Sequence, residues 1–270
     1  MIKTVLATLF AGYLTIVVLL YLFQRNLMYI PGGGPGEPGD AGVPEMRAET
    51  IVAADGVGTV SWIAPGASDA KVVVLFHGNA GNIADRGFKA RHFLDAGFGA
   101  ALVGYRGFGD NPGSPTEAGL YADGKALLED LEGKGIAADR IVLYGESMGS
   151  GLAVHLATLW ADSGNPFAGI ILEAPFTSMA DAAAYHYSWL PARLLVKDRY
   201  DSLTKIDRVN APVMIIHGDR DRTVPQDLGR KLFSAAEEPK TAIWLEAAGH
   251  VDIFDFDVVQ PMTDWVRKLP

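Results

Sequence analysis

The chain has 270 residues, nearly half of them apolar, a formal net charge of −9 and no cysteine. Such a length accommodates one large α/β domain or two small ones, and an acidic chain without a basic cluster lacks the phosphate-neutralising charge on which nucleic-acid affinity rests. Disulfides, thiolate metal sites and cysteine nucleophiles are excluded; compartment is left open.

Val5 to Phe23 is uncharged and almost wholly apolar. As a helix it rises about 28 Å, close to the ~30 Å hydrocarbon core of a bilayer. A cleaved signal peptide needs small residues at its cleavage site, which Phe23-Gln24-Arg25-Asn26-Leu27 does not offer, and a buried core helix would carry a polar face. Residues 1–30 are therefore expected to be an uncleaved membrane anchor. Lys3 and the amino terminus outweigh Arg25 by a narrow margin, so the expected orientation places the rest of the chain on the non-cytoplasmic (periplasmic) side. The Gly/Pro-rich run Pro31–Asp40 suits neither helix nor ladder. Residues 31–45 are expected to be a mobile linker, leaving 46–270 as the folded domain.

Glu49–Ala54 and Gly58–Ala64, separated by Asp55-Gly56, read as a hairpin. Lys71–Phe76 is a continuous apolar run, as in a central strand covered on both faces. It leads into His77-Gly78-Asn79-Ala80-Gly81-Asn82 and a helix from about 85 to 95. Gly99–Gly104 is the next strand, followed by the loop Tyr105–Gly113. Ser114-Pro115-Thr116-Glu117 has the form of a capping box and predicts a helix to about Glu132. A short strand, 141–144, precedes Gly145-Glu146-Ser147-Met148-Gly149, and from Met148 onward Leu152, Leu156 and Trp160 fall at helical spacing. Strands follow at 168–173, 213–217 and 241–246, with helices at 225–236 and 258–269. Alternation of this kind predicts an α/β fold with a mostly parallel sheet and helices on both faces. Segment 177–210 breaks the rhythm and is expected to be a lid-like helical insertion. Its aromatic and leucine side chains either wall an acyl pocket or pack as ordinary core.

Gly145–Gly149 fits G-x-S-x-G at a strand-to-helix turn, where the glycines allow close approach and Ser147 points outward. A serine hydroxyl needs a base, and the base needs an acid to hold its tautomer. Both should lie just past later strands, at the carboxyl edge of the sheet. Strand 213–217 ends in Gly218-Asp219-Arg220-Asp221, and strand 241–246 ends in Ala247-Ala248-Gly249-His250. Ser147, Asp221 and His250 fall in serine–acid–histidine order, spacing leaves Asp219 and Glu173 as rivals for the acid, and the pattern of the α/β-hydrolases that the chain resembles favours Asp221. Asp219 is expected to brace its turn through backbone hydrogen bonds, Glu173 to serve structurally, His155 to be packed, His217 to brace the acid loop, and His77 to shape a loop.

From His77 to His250 the chain resembles serine hydrolases of the α/β-hydrolase superfamily. With its apolar N-terminus and Phe23-Gln24-Arg25 it is similar to the membrane-anchored bud-emergence-suppressor family. The resemblance runs through His77–Asn82, Tyr105–Gly109, Gly119–Tyr121, Gly145–Gly149, Glu173–Ser178 and His217–Asp221. It implies the α/β-hydrolase fold and a catalytic apparatus, with relatives acting on lipid esters, lysophospholipids and acyl thioesters. The backbone N–H of Met148 and that of Asn79 are the expected oxyanion donors, an ordinary turn role for Asn79 being the alternative. No phosphate-cradling, dinucleotide or metal-ligand spacing occurs, so no cofactor or metal is expected. The expected function is hydrolysis of carboxylic or thio-esters, possessing two rivals: an amidase or peptidase using the same residues, and a non-catalytic membrane-tethered scaffold.

Overall fold

The computed structural model describes residues 1–270. In chain order the helices are α1 (Ile2–Met28), α2 (Gly87–Asp95), α3 (Glu117–Gly133), α4 (Met148–Asp162), α5 (Met179–His186), α6 (Ala192–Leu195), α7 (Gln226–Ala235) and α8 (Val259–Lys268). The strands are β1 (Ile30–Pro31), β2 (Arg47–Val52), β3 (Gly58–Ala64), β4 (Val72–Phe76), β5 (Ala80–Gly81), β6 (Gly99–Leu102), β7 (Ile141–Glu146), β8 (Gly169–Glu173), β9 (Val213–Gly218) and β10 (Lys240–Leu245). Eight of them form one sheet in the order β10-β9-β8-β7-β4-β6-β3-β2. Only β3 runs antiparallel to its neighbours β2 and β6. The expected architecture, a mostly parallel sheet between helical layers, is what the chain adopts.

Strand side chains alternate between two cores because successive Cβ atoms point to opposite faces. Val72, Val74, Leu143, Ile170 and Ile215 pack with Leu127 of α3, Leu152 of α4 and Leu232 of α7. Val73, Leu75, Val142, Ile171 and Ile216 pack with Phe93 of α2 and Val266 of α8. Central strands β4, β7, β8 and β9 are buried on both faces apart from the end of β7. That dual burial explains their unbroken apolar runs. The register Phe76↔Gly145 and Glu146↔Glu173 sets the carboxyl ends of β4, β7 and β8 side by side. The loops that follow them share one rim.

Two expectations need correction. The run 31–45 is docked rather than mobile: Gly32 N donates to Gly81 O at 2.8 Å, Asn82 Nδ2 donates to Gly33 O at 2.8 Å, and Val43 is fully buried. Its backbone polar groups find partners on a facing glycine loop, so its composition does not leave it free. The α3 cap is Thr116, whose side chain accepts from Gly119 N at 3.0 Å, and not Ser114. Glu117, read as the returning glutamate of a capping box, instead accepts from Arg199 N at 2.6 Å at the base of the insertion.

Helix α1 has a mean hydropathy of 2.3 in its most apolar window and none of that window is buried. By length and composition it is long and apolar enough to cross a membrane.

Candidate active site

The turn between β7 and α4 forces Ser147 to φ 50, ψ −116, a region in which a side-chain-bearing residue costs about 1–3 kcal/mol. Glycines make the turn possible. A Cβ on Gly145 would stand 2.5 Å from Ser150 Cα, and one on Gly149 would run into the Phe76 carbonyl oxygen. Ser147 N donates to Glu173 O at 2.8 Å, tying the turn to β8.

The structure brings the three expected side chains together. Ser147 Oγ lies 3.0 Å from His250 Nε2, and His250 Nδ1 lies 2.7 Å from Asp221 Oδ2. An ionised carboxylate only accepts, so Nδ1 carries the proton and Nε2 is left to accept from the serine hydroxyl. Asp221 is held on both oxygens. Oδ1 accepts from Thr223 N at 2.8 Å and Val224 N at 2.7 Å, while His217 Nε2 stands 3.3 Å from Oδ2 and 2.9 Å from Val224 O. Burial alone would raise the Asp221 carboxyl, but the hydrogen bonds from His217, His250 and Val224 N–H hold it well below the usual carboxylate range.

The rivals for the acid are elsewhere. Asp219 is partly exposed and accepts from the Gln226 side chain, not from the backbone of its turn as expected. Glu173 is buried against Lys89 and accepts from Tyr144 Oη. His155 stacks on Tyr121 with ring centroids 3.8 Å apart. His77 is buried, with Nδ1 2.8 Å from Gly78 O, and burial drives its pKa down to about 3.

Asn79 and Met148 flank Ser147 in the same cavity wall. Met148 is the first residue of α4, so its N–H has no partner within the helix. Asn79 N makes no backbone hydrogen bond. Its side chain is committed elsewhere, Nδ2 donating to Met28 O at 2.6 Å.

Beneath the turn lies a charge cluster absent from the sequence-based expectations. Lys89 Nζ is 2.7 Å from Glu146 and 2.6 Å from Glu173, and Arg86 Nη2 is 2.6 Å from Glu146. Burial would raise the Glu146 carboxyl, yet Lys89 and Arg86 hold it well below its usual range. The signal available was Lys89 itself, a charge on the buried stripe of α2.

A cavity of about 340 Å³ opens at Ser147, and 15 of its 20 lining residues are hydrophobic. The insertion contributes Met179, Leu190 and Leu195, and α1 contributes Leu20, Leu27 and Met28. The α1 wall was not anticipated, since Gln24-Arg25 reads from sequence as a simple membrane flank. No Asp, Glu, Lys or Arg lines the cavity.

Comparison with known proteins gives a consistent picture. Residues 67–200 match the family described as serine aminopeptidase, S33. An uncharacterized protein of Mycobacterium tuberculosis is 37% identical over 240 residues, covering 88% of this chain and 84% of its own. The lysophosphatidylserine lipase ABHD12 of Danio rerio is 32% identical over 188 residues, covering 63% of this chain and 48% of its own. Among solved structures, the Pyrococcus furiosus esterase Pf2001 superposes with a TM-score of 0.68 at 19% identity, covering 89% of this chain and 98% of that one. At that identity the likeness is one of fold.

Proposed function

The chain belongs to the α/β-hydrolase superfamily, and from that premise we propose that it is a serine hydrolase cleaving carboxylic or thio-esters of acyl chains, held at a membrane by α1. The observation that carries this reading is the unbroken relay from Asp221 through His250 to Ser147, opening into an apolar cavity. His250 Nε2 takes the serine proton as Oγ attacks the carbonyl carbon. The backbone N–H groups of Met148 and Asn79 receive the oxyanion, each contributing about 3 kcal/mol to the transition state. His250 then returns the proton to the departing alcohol or thiol, leaving an acyl-enzyme. Water, deprotonated by the same nitrogen, attacks the acyl-enzyme, and His250 returns that proton to Ser147 Oγ as the acid departs. Asp221 keeps the proton on Nδ1 and stabilises the imidazolium formed in each step.

The matched family's description favours a second reading, an aminopeptidase. Such an enzyme has to hold a free α-ammonium, and no carboxylate lines this cavity. The esterase reading is therefore preferred. A panel of p-nitrophenyl esters and thioesters of increasing chain length, run beside aminoacyl anilides, separates the two. Ester cleavage improving with chain length is expected; faster anilide cleavage would overturn the reading. Fluorophosphonate should label the wild type and not Ser147→Ala, whereas a folded but unlabelled wild type would make the chain a scaffold.

For α1, the reading as an uncleaved anchor is supported by its union with the domain: Arg25 pairs with Asp198 at 2.7 Å and Tyr29 Oη with Tyr200 Oη at 2.8 Å. Lys3 and the amino terminus narrowly outweigh Arg25, so this reading keeps the amino terminus on the cytoplasmic side and the catalytic domain on the other. A C-terminal alkaline phosphatase fusion should be active in a bacterial host; an inactive, stably expressed fusion would reverse the orientation.

A further inference from the structure

Helix α1 does more than end at the domain. Arg25 donates to both oxygens of Asp198 at 2.7 and 2.9 Å, and Gln24 bonds Leu195 O at 3.1 Å and Lys197 N at 2.7 Å. Farther back along the helix, Tyr13 Oη donates to Trp189 O at 3.3 Å, their rings 6.2 Å apart. Tyr13 precedes Arg25 by about 18 Å of helix rise. The tip of the insertion, between α5 and α6, therefore lies alongside α1 to roughly the middle of its apolar run.

That tip is chemically unlike a water-facing loop. From Ala182 to Ala192 it contains no Asp, Glu, Lys or Arg. It nevertheless leaves Tyr185, Tyr187 and Trp189 half-exposed or more, and Leu194 just beyond it is 85% exposed. Large apolar and aromatic side chains exposed together without a charge among them mark a surface that faces a membrane or a partner. Behind the tip, the cavity at Ser147 runs between Leu20, Tyr21 and Leu27 of α1 and Met179, Ala183 and Leu190 of the insertion.

We propose that the segment Ala182–Ala192 is embedded in the bilayer beside α1, and that the two form a lateral portal through which the acyl chain of a membrane-resident ester reaches Ser147. The anchor helix is then one wall of the substrate site. This rests on the esterase and anchor readings above and adds to them the route of entry: a chain already lying in the acyl layer slides between α1 and α5 without crossing water. Its carbonyl comes to Ser147 at the level of Gln24 and Asn79, where polar groups begin.

The absence of cysteine makes a direct test clean. Ser188→Cys in the tip, Ala11→Cys in α1 and Asp69→Cys at the opposite end of the sheet each take a single nitrobenzoxadiazole label, and the full-length protein is placed in phosphatidylcholine vesicles containing doxyl-labelled lipid. Quenching at positions 188 and 11 but not at 69 is expected. Quenching at 11 without quenching at 188 would overturn the embedded tip while leaving the anchor; quenching at neither would overturn both. This readout needs no turnover, so it stands apart from the failure of the esterase reading, which an unlabelled Ser147 would reveal. A second arm uses Trp189→Asp and, should that variant misfold, Tyr185→Asp; neither side chain lines the cavity. Hydrolysis of p-nitrophenyl palmitate in vesicles should fall at least tenfold, with p-nitrophenyl acetate hydrolysis and fluorophosphonate labelling unchanged. Folded variants that retain wild-type rates on both esters would overturn the portal.

Discussion

Lys89 Nζ stands 2.6 Å from the Glu173 carboxylate, both side chains buried, directly under the turn that presents Ser147. Glu173 O in turn accepts from Ser147 N, so the ion pair and the nucleophile share one residue of β8. Glu146, which precedes Ser147 in the chain, accepts from the same ammonium. A buried pair of this kind adds little net stability over apolar packing, but removing one partner strands the other. Lys89→Met should therefore cost about 3–5 kcal/mol, and adding Glu173→Gln should recover a good part of it, because a neutral amide leaves no charge unpaired. Chemical denaturation in detergent measures both; a single substitution costing under about 1 kcal/mol would show that the cluster is solvated.

Asp221→Asn replaces an acceptor with a group that is also a donor, while Thr223 N and Val224 N retain an oxygen to bond. His250 then loses the partner that fixes its proton on Nδ1. Turnover of a short soluble ester should drop on the order of 10⁴ with little change in KM, by analogy with other serine triads. Stopped-flow labelling by fluorophosphonate should slow in proportion. A loss of tenfold or less would mean that Asp221 is not the orienting acid.

The sheet and the Ser147–Asp221–His250 set are legible in the sequence for one reason. Each of the three follows the carboxyl end of a run that reads as a strand, buried on both faces before Ser147 and Asp221 and half-buried at the sheet edge before His250. What stays hidden depends on pairings across the chain. Arg25 reads as a membrane flank whatever it contacts, and its partner Asp198 is 173 residues away. Gly32 and Gly33 read as free chain because composition describes an isolated backbone, whereas Gly81 and Asn82 supply the partners that dock it. Glu117 sits where a capping box would use it, but Arg199 N takes its carboxylate first. Local pattern reveals elements and the ends of strands; it cannot reveal which remote group completes a polar side chain's bonding.

Two glycines should behave in opposite ways when given a methyl group. Gly149→Ala drives a Cβ into the Phe76 carbonyl, a backbone atom of a central strand that has no room to yield. Loss of soluble, monodisperse protein is expected, as the strand and helix must separate. Gly133, at the end of α3, has open space around it and an ordinary helical conformation. Gly133→Ala should raise stability by about 0.4–1 kcal/mol by restricting the unfolded chain. Thermal unfolding of the two variants in parallel tests the contrast, and a well-folded Gly149→Ala protein would contradict the geometry of the turn.

His77 should make the fold acid-sensitive above the range where carboxylates titrate. Buried against Tyr105 and Phe108, it is neutral in the folded state with a pKa driven down to about 3 from an ordinary value of 6.5. Between those two values the unfolded chain holds a proton that the folded chain refuses, so stability falls as pH falls through this window, by up to about 1.4 kcal/mol per unit. Asp221 and Glu146 act in the same direction, but only below their ordinary values of 3.8 and 4.5, because their folded forms stay ionised. From pH 6.5 to about 4.5 those two carboxylates are ionised in both states, and Asp123, whose carboxyl burial raises, contributes equally to wild type and variant. His155, also driven down by burial, to about 4, contributes equally to wild type and variant and cancels in the comparison. His77→Phe keeps the ring packing and removes the titration, so its stability should decline less steeply over this interval, by up to about 1.4 kcal/mol per pH unit. Denaturant midpoints collected at half-unit steps give the two slopes, and parallel lines would mean that His77 accepts its proton without leaving the fold.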